Sequence, residues 1–304
     1  MRTMKLALPL FAALAFGPSQ AWALPLLGSQ LSSFAVLGAS KVTNTGATTL
    51  TGNLGVSNNS SVTGITGFFG TLANEGPGGV TGAVHQGDAF AITADGQLVN
   101  AMTSLGLMGP GAGLGVDLVG LTLAPGVYTV LAGVSNLTGK LTLDGGGNAN
   151  AFWVFQMAST LITSPGSVVD VINTGAGAGV YWNVGSSATL DTGTTFEGNI
   201  LASASITMND GVTLSCGRAL AHTGAVTMIH DTVNSGDCVG TGEEGSKGLS
   251  GGLTVQVAGG IPTPLPIAPL PAIPEPETYA LMLAGLAALR LVAGAQRRRG
   301  VMAG

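Results

Sequence analysis

Apolar and polar positions alternate through residues 188–221 in two passes that superpose. In ATLDTGTTFEGNILA (188–202) and ITMNDGVTLSCGRALA (206–221), Thr189 aligns with Thr207, Leu190 with Met208 and Gly193 with Gly211. Thr195 then meets Thr213, Phe196 meets Leu214, and Leu201 meets Leu220. AVTMIHDTV, from Ala225, continues the first column with Thr227 and Met228, and STLITSPGSVV, from Ser159, supplies Thr160 and Leu161. Alternation of period two predicts strands. A repeat near 18–20 residues, cut by glycine corners, is what the coils of a three-sided β-solenoid require. Val, Leu, Phe and Met then point inward and Thr and Ser outward, with coils stacked about every 4.8 Å through backbone hydrogen bonds. One coil cannot bury its apolar side alone, so the stack is the folding unit.

The chain before residue 150 is organised differently. Residues 34–68 read as short strands separated by Gly, Asn and Ser, and strands resume over 121–145. Between them, HQGDAFAITADGQLVNAMTSLGLM (85–108) predicts one helix over about 87–106, with Phe90, Leu98, Met102 and Leu105 on one face. Gly, Ser and then Pro dominate residues 239–273, which read as a linker.

Both ends look like addresses. Residues 1–23 join Arg2 and Lys5 to an apolar run and a small-x-small AWA, the pattern of a secretory signal peptide cut after Ala23. Residues 274–300 join Pro274-Glu275-Pro276 to an apolar stretch and then to Arg297, Arg298 and Arg299. This order of parts resembles the PEP-CTERM sorting tail of Gram-negative bacteria. The resemblance implies exosortase processing, transient inner-membrane anchoring, and delivery to the cell surface or extracellular matrix.

Composition agrees with an exported all-β body. The chain has 304 residues, 45% hydrophobic and 8% charged, which is too apolar and too poor in charge for disorder. Its 50 glycines lack the period of three that collagen needs. Outside the end segments only Lys41, Lys140, Arg218 and Lys247 face 13 acids, leaving the body at about −9. Such a surface repels phosphate backbones and excludes nucleic acid as a partner. Membrane contact is confined to the sorting segment. Cys216 and Cys238 are the only cysteines. An exported context favours a disulfide between them, worth about 2–4 kcal/mol, and no His pair or Cys-x-x-Cys argues for zinc.

Residues 29–235 resemble the DUF3494 ice-binding proteins. The match is carried by FAVLGASKVTNTGATTLTGNLGVS near the start, LAPGVYTV in the middle, then FWVFQMASTL, VYWNVGSSATLDTGTTFEGNILASASITMNDGVTLSCGRALAHTGAVTM and a closing DTV. The resemblance implies a discontinuous right-handed three-sided β-solenoid over residues 24–238, all-β with one long helix packed alongside. It also implies that N-terminal strands join coils formed late in the sequence. The expected function is that of an exported ice-binding, antifreeze-type protein whose partner is ice or ordered water, curbing ice growth or recrystallisation. The alternative is an extracellular-matrix or adhesion module that meets the polysaccharide matrix and uses the solenoid as a stiff spacer.

Candidate chemistry follows from the threonines. The family's ice-site pattern, T-[A/G]-x-[T/N], is matched by Thr192–Thr195, Thr45–Thr48 and Thr63–Thr66, and approached by Asp210–Thr213. The expected ice-facing set is Thr192, Thr194, Thr195, Thr213, Thr45, Thr48, Thr63 and Thr66, with Thr160, Thr189, Thr207 and Thr227 as the alternative column. Residues three apart on an unbroken strand face opposite sides, so the first set needs its glycines to bend the chain. No enzyme is expected: His85, His222 and His230 are scattered, and neither G-x-S-x-G nor HExxH occurs. Asp191, Asp210, Glu197 and Asp231 could pair as glycosidase-type carboxylates, but isolated acids on an acidic exported surface are usually solvated. The Gly- and Asn-rich stretch around Asp144 lacks the repeated calcium nonapeptide, so no metal or cofactor is expected.

Overall fold

Parallel pairing between distant segments builds the body. A computed structural model describes residues 24–70, 75–131, 135–175, 177–235, 254–258 and 261–265. The signal segment 1–23, Cys238 and the sorting segment 274–300 lie outside the described residues. Each circuit of the chain lays one short strand on each of three faces. In spatial order the first face holds strands at 135–137, 161–163, 188–190, 206–208, 225–229, 41–45 and 65–66. This is called the hydroxyl face. The second, or acidic, face runs 122–123, 140–144, 168–172, 195–197, 213–215, 232–234, 49–51 and 79–80. The third, or helix, face runs 112–114, 126–130, 152–157, 179–184, 199–202, 218–221, then 36–37, 54–56 and 84–86.

These orders are discontinuous, as the resemblance implied. The chain enters mid-stack at Phe34–Gly38 and builds outward to Val84–Gln86. The helix Ala89–Gly106 then carries it back along the helix face to Ala112–Leu114 at the far end. Eighteen helical residues reach about 27 Å, most of the eight strand spacings, about 38 Å, that separate the two ends, and the residues flanking the helix cover the rest. Later coils fill the gap until 218–234 dock on 36–51. That junction is a seam between chain segments about 180 residues apart, as in the Thr43–Thr227 side-chain contact, 184 residues apart in sequence.

The interior is apolar and partly aromatic. Trp182 stacks on Phe155 with centroids 4.0 Å apart, and Phe196 packs tilted against it at 4.8 Å. Both inward indoles are satisfied: Trp153 Nε1 donates to the Leu123 carbonyl and Trp182 Nε1 to that of Glu197. Asp88 caps the helix by accepting from the Ala91 N–H at 2.9 Å. The buried stripe is Ala91, Ala94, Leu98, Ala101 and Leu105, packed on Leu37, Val154, Tyr181, Leu201 and Leu220. Phe90 and Met102 are only partly buried, because the alanines let the helix backbone approach the flat sheet. Polar pins fix it there: Asn183 Nδ2 donates to the Met102 carbonyl, Gln156 Nε2 to that of Leu105, and His222 pairs with Asp95 at 3.1 Å. Within the predicted linker, Thr254–Ala258 and Ile261–Leu265 pair antiparallel, and the former also pairs with Leu24–Pro25.

Arg218 holds the seam from the helix side. Its buried guanidinium donates to the Ser32 carbonyl at 2.6 Å, to the Ser235 carbonyl and to Asn199 Oδ1. Burial lowers its pKa to about 10, which leaves it cationic at neutral pH. Arg218→Met strands these acceptors, so the unfolding free energy in urea should fall by about 2–4 kcal/mol. Asp231 is the opposite case. Burial pushes its carboxyl up to about 7, against the pull of two backbone N–H bonds from Ile229 and Val212. The folded chain therefore holds this proton more tightly than the unfolded chain. Its contribution to stability is full below about pH 4 and is lost as pH rises through 7. Melting temperatures between pH 4 and pH 8 should fall for the parent and change less for Asp231→Asn.

Candidate functional site

The hydroxyl face carries an unbroken row at its centre. Cross-strand pairs link Thr189 to Thr207, Thr207 to Thr227, Thr227 to Thr43 and Thr43 to Thr66. All five are partly exposed, and the residues on either side of each in its strand point into the core. Four strand spacings make the row about 19 Å long. Two positions earlier lie Ser187, Ser205, Ala225 and Lys41, tied by the Ser205 N–H to Ser187 Oγ and the Ala225 N–H to Ser205 Oγ, each at 3.3 Å. Two positions later lie Asp191, Asn209, Ile229 and Thr45. Asp191 accepts from Asn209 Nδ2 at 2.9 Å, and this bond, with that from the Thr192 N–H, holds its carboxyl below the usual range. The central row from Thr189 to Thr66 is thus all small side chains, with Lys41, Asp191 and Ile229 beside it, and the helix lies elsewhere.

The acidic face also has a threonine row, Thr195, Thr213, Thr232 and Thr49. Its setting differs. The row continues through Val168 to Lys140, whose ammonium meets Asp170 at 2.5 Å. The neighbouring row contains Thr142, Asp170, Glu197 and Ser215, and Glu197 Oε2 accepts from the Val171 N–H. Charges therefore interrupt this face where the hydroxyl face has none at its centre.

These positions sort the residues expected from sequence. Thr189, Thr207 and Thr227 form one row as aligned. Thr160 is not in it: Leu161 pairs with Ala188 and Ile162 with Thr189, so Ile162 takes that place. The local match of Thr160 to the column came from a two-residue slip that strand pairing forbids. The T-G-x-T set does not share one surface. Thr194 and Thr48 are buried, with Thr194 Oγ1 bonded to Thr163 Oγ1 at 2.9 Å and Thr48 Oγ1 to Asn44 Oδ1. Each occupies the inward position just before its acidic-face strand, so neither can meet ice. Thr195 and Thr213 lie on the acidic face, Thr45 and Thr66 on the hydroxyl face, Thr192 at the corner between them, and Thr63 in an exposed loop. Gly193, at φ 67°, makes the bend the pattern required, but the bend separates the two faces.

Thr43, Thr49 and Thr232 were missed. Thr43 had a readable signal, since Lys41-Val42-Thr43-Asn44 mirrors Ala225-Val226-Thr227-Met228, with which it pairs. Among the acids, Asp210 pairs with His230 at 2.8 Å, Asp231 is buried, and Asp191 and Glu197 lie on different faces. Cys216 is disulfide-bonded, buried and in a left-handed conformation at φ 52°.

Comparison with known proteins agrees with this architecture. Residues 36–234 match the family model described as Ice-binding-like. An ice-binding protein of Nostoc sp. (strain HG1) is 44% identical over 218 residues, covering 71% of this chain and 76% of that protein. The crystal structure of an ice-binding protein from an Antarctic biological consortium is 36% identical, with a TM-score of 0.60 over 75% of this chain and 96% of that one. That of an ice-binding protein from the Antarctic ascomycete Antarctomyces psychrotrophicus is 35% identical, with a TM-score of 0.59 over 70% and 98%. The sequence match runs through nearly the whole described body and the fold is shared with solved ice-binding proteins: the chain belongs to the Ice-binding-like family.

Proposed function

We propose that this protein binds ice, and that the hydroxyl face is the surface that does so. The observation that carries the reading is the row Thr189, Thr207, Thr227, Thr43 and Thr66, in register on five successive strands of a face that no helix covers among the described residues. Strand spacing sets its members about 4.8 Å apart, and outward rows on each strand lie about 6.6 Å from one another. Each threonine offers a hydroxyl that holds a water and a methyl that limits where neighbouring waters can go. Because the backbone ladder is rigid, that water layer forms without a further cost in ordering the protein. The layer can then merge with an ice face. Charged groups bind water in their own geometry and give it up at a cost, which disfavours the acidic face.

Adsorbed protein of this kind curbs ice growth and recrystallisation by binding rather than by catalysis. We further propose that it acts outside the cell, on the strength of the signal-like residues 1–23 and the PEP-CTERM-like residues 274–300, with exosortase as the processing partner. Surface retention near matrix polysaccharide then follows.

Ice-affinity partition tests the face directly. Thr207→Tyr with Thr227→Tyr should be excluded from a slowly growing ice hemisphere, while Thr213→Tyr with Thr232→Tyr should enter it like the parent. The reverse pattern would move the site to the acidic face.

A further inference from the structure

The corner between the hydroxyl and acidic faces is built the same way in most coils. Four residues separate the last inward residue of the first strand from the first outward residue of the second. They are 191–194 between Leu190 and Thr195, 209–212 between Met208 and Thr213, and 45–48 between Asn44 and Thr49. A glycine in the left-handed region makes each bend: Gly193 at φ 67°, Gly211 at φ 75° and Gly46 at φ 91°. The coil beside the seam breaks the rule. Between Met228 and Thr232 stand only Ile229, His230 and Asp231, and His230 takes the left-handed place at φ 52° without being glycine.

Asp231 fills in for the missing residue. Its side chain turns inward and is buried. Oδ1 accepts from the Val212 N–H in the preceding coil, and Oδ2 from the Ile229 N–H at the start of its own corner, both at 2.8 Å. In the coil before, the N–H equivalent to that of Val212 belongs to Thr194 and bonds to the backbone carbonyl of Asp191. A carboxylate oxygen thus does the work of a peptide carbonyl. The same residue reaches across the seam. Its N–H donates to Thr48 Oγ1 at 2.9 Å, and Thr48 Oγ1 donates to Asn44 Oδ1. Asn44 Nδ2 donates to the Gly46 and Gly67 carbonyls, each at 2.8 Å. The chain of bonds spans four successive coils beneath the threonine row. Above it, the His230 ring lies over Gly46, where an added Cβ would come within 2.2 Å.

We infer that Asp231 is a positioning residue: by closing a corner one residue short, it sets the register at which Thr227 meets Thr43 and so joins the two halves of the row. This rests on the hydroxyl face being the ice site. The row crosses the seam between Thr227, from the last coil, and Thr43, from the first. Their hydroxyls stand 3.4 Å apart. A slip there would divide the five threonines into three and two. The ionisable groups facing Asp231 are His230 and Asp210, which are bonded to each other and do not supply the missing acceptor.

The test separates alignment from ice binding. In a Thr43→Cys, Thr227→Cys background, mild oxidation should cross-link the two positions rapidly. Adding Asp231→Ala should slow cross-linking about tenfold through local opening at the seam. Replacing Ile229–Asp231 with the four-residue Asp-Thr-Gly-Thr of the 191–194 corner should restore the rate, because in that corner a backbone carbonyl, that of Asp191, accepts from the Thr194 N–H. On the threonine background, ice-affinity partition of the same two variants should fall and recover in parallel. Cross-linking at the parent rate in a folded Asp231→Ala variant would overturn the inference, as would a folded graft that stays slow. Should Asp231→Ala fail to fold, the graft alone decides. Normal cross-linking behaviour with no ice binding by the parent would sink the ice reading and leave the corner's role standing.

Discussion

The backbone ladder between parallel strands is the constraint from which everything else in this molecule follows. It repeats about every 4.8 Å on three faces, so any residue placed outward in one coil has a counterpart directly beside it in the next. Inward positions then become columns of Leu, Val, Phe and Trp, and outward positions become rows. A row can be flat only if its members are small and its strands do not slip. Both conditions are met on the hydroxyl face, where inward residues lock each strand and threonine recurs outward.

The ladder also explains how the three faces differ in use. One is sealed by the helix, whose alanines pack directly on Leu37, Val154, Tyr181, Leu201 and Leu220. One carries charges, including the Lys140–Asp170 pair, and keeps its threonines among them. One is left with a central row of small hydroxyl-bearing side chains. The discontinuous topology adds a demand that a simple solenoid lacks. Its working surface is completed only when the first and last coils meet, so Arg218 on the helix side and Asp231 at the opposite corner both act at that junction.

Much of the fold was legible from local pattern. The pairing of Thr189 with Thr207 and of Phe196 with Leu214 could be read because consecutive coils repeat within 18 residues. The helix was legible from its stop and its apolar spacing, although the alanines that make its contact were not. The candidate site was less legible, for two physical reasons. The T-G-x-T pattern crosses a corner, so its fourth residue falls inward at Thr48 and outward at Thr195, depending on where the strand begins. Thr43 joins the row by pairing with Thr227, 184 residues away, which no local period encodes, and Thr66 follows through its pairing with Thr43. Composition could show that the chain forms coils, but only the docked seam shows which threonines stand in line.

Frozen water should contact one row of threonines and not the other. Proton polarisation transfer from ice to threonine methyls, in frozen solutions of methyl-labelled protein, reads this residue by residue. Transfer should be strong to Thr189, Thr207, Thr227, Thr43 and Thr66 and weak to Thr195, Thr213, Thr232 and Thr49. Equal transfer to both rows, or stronger transfer to the second, would contradict it.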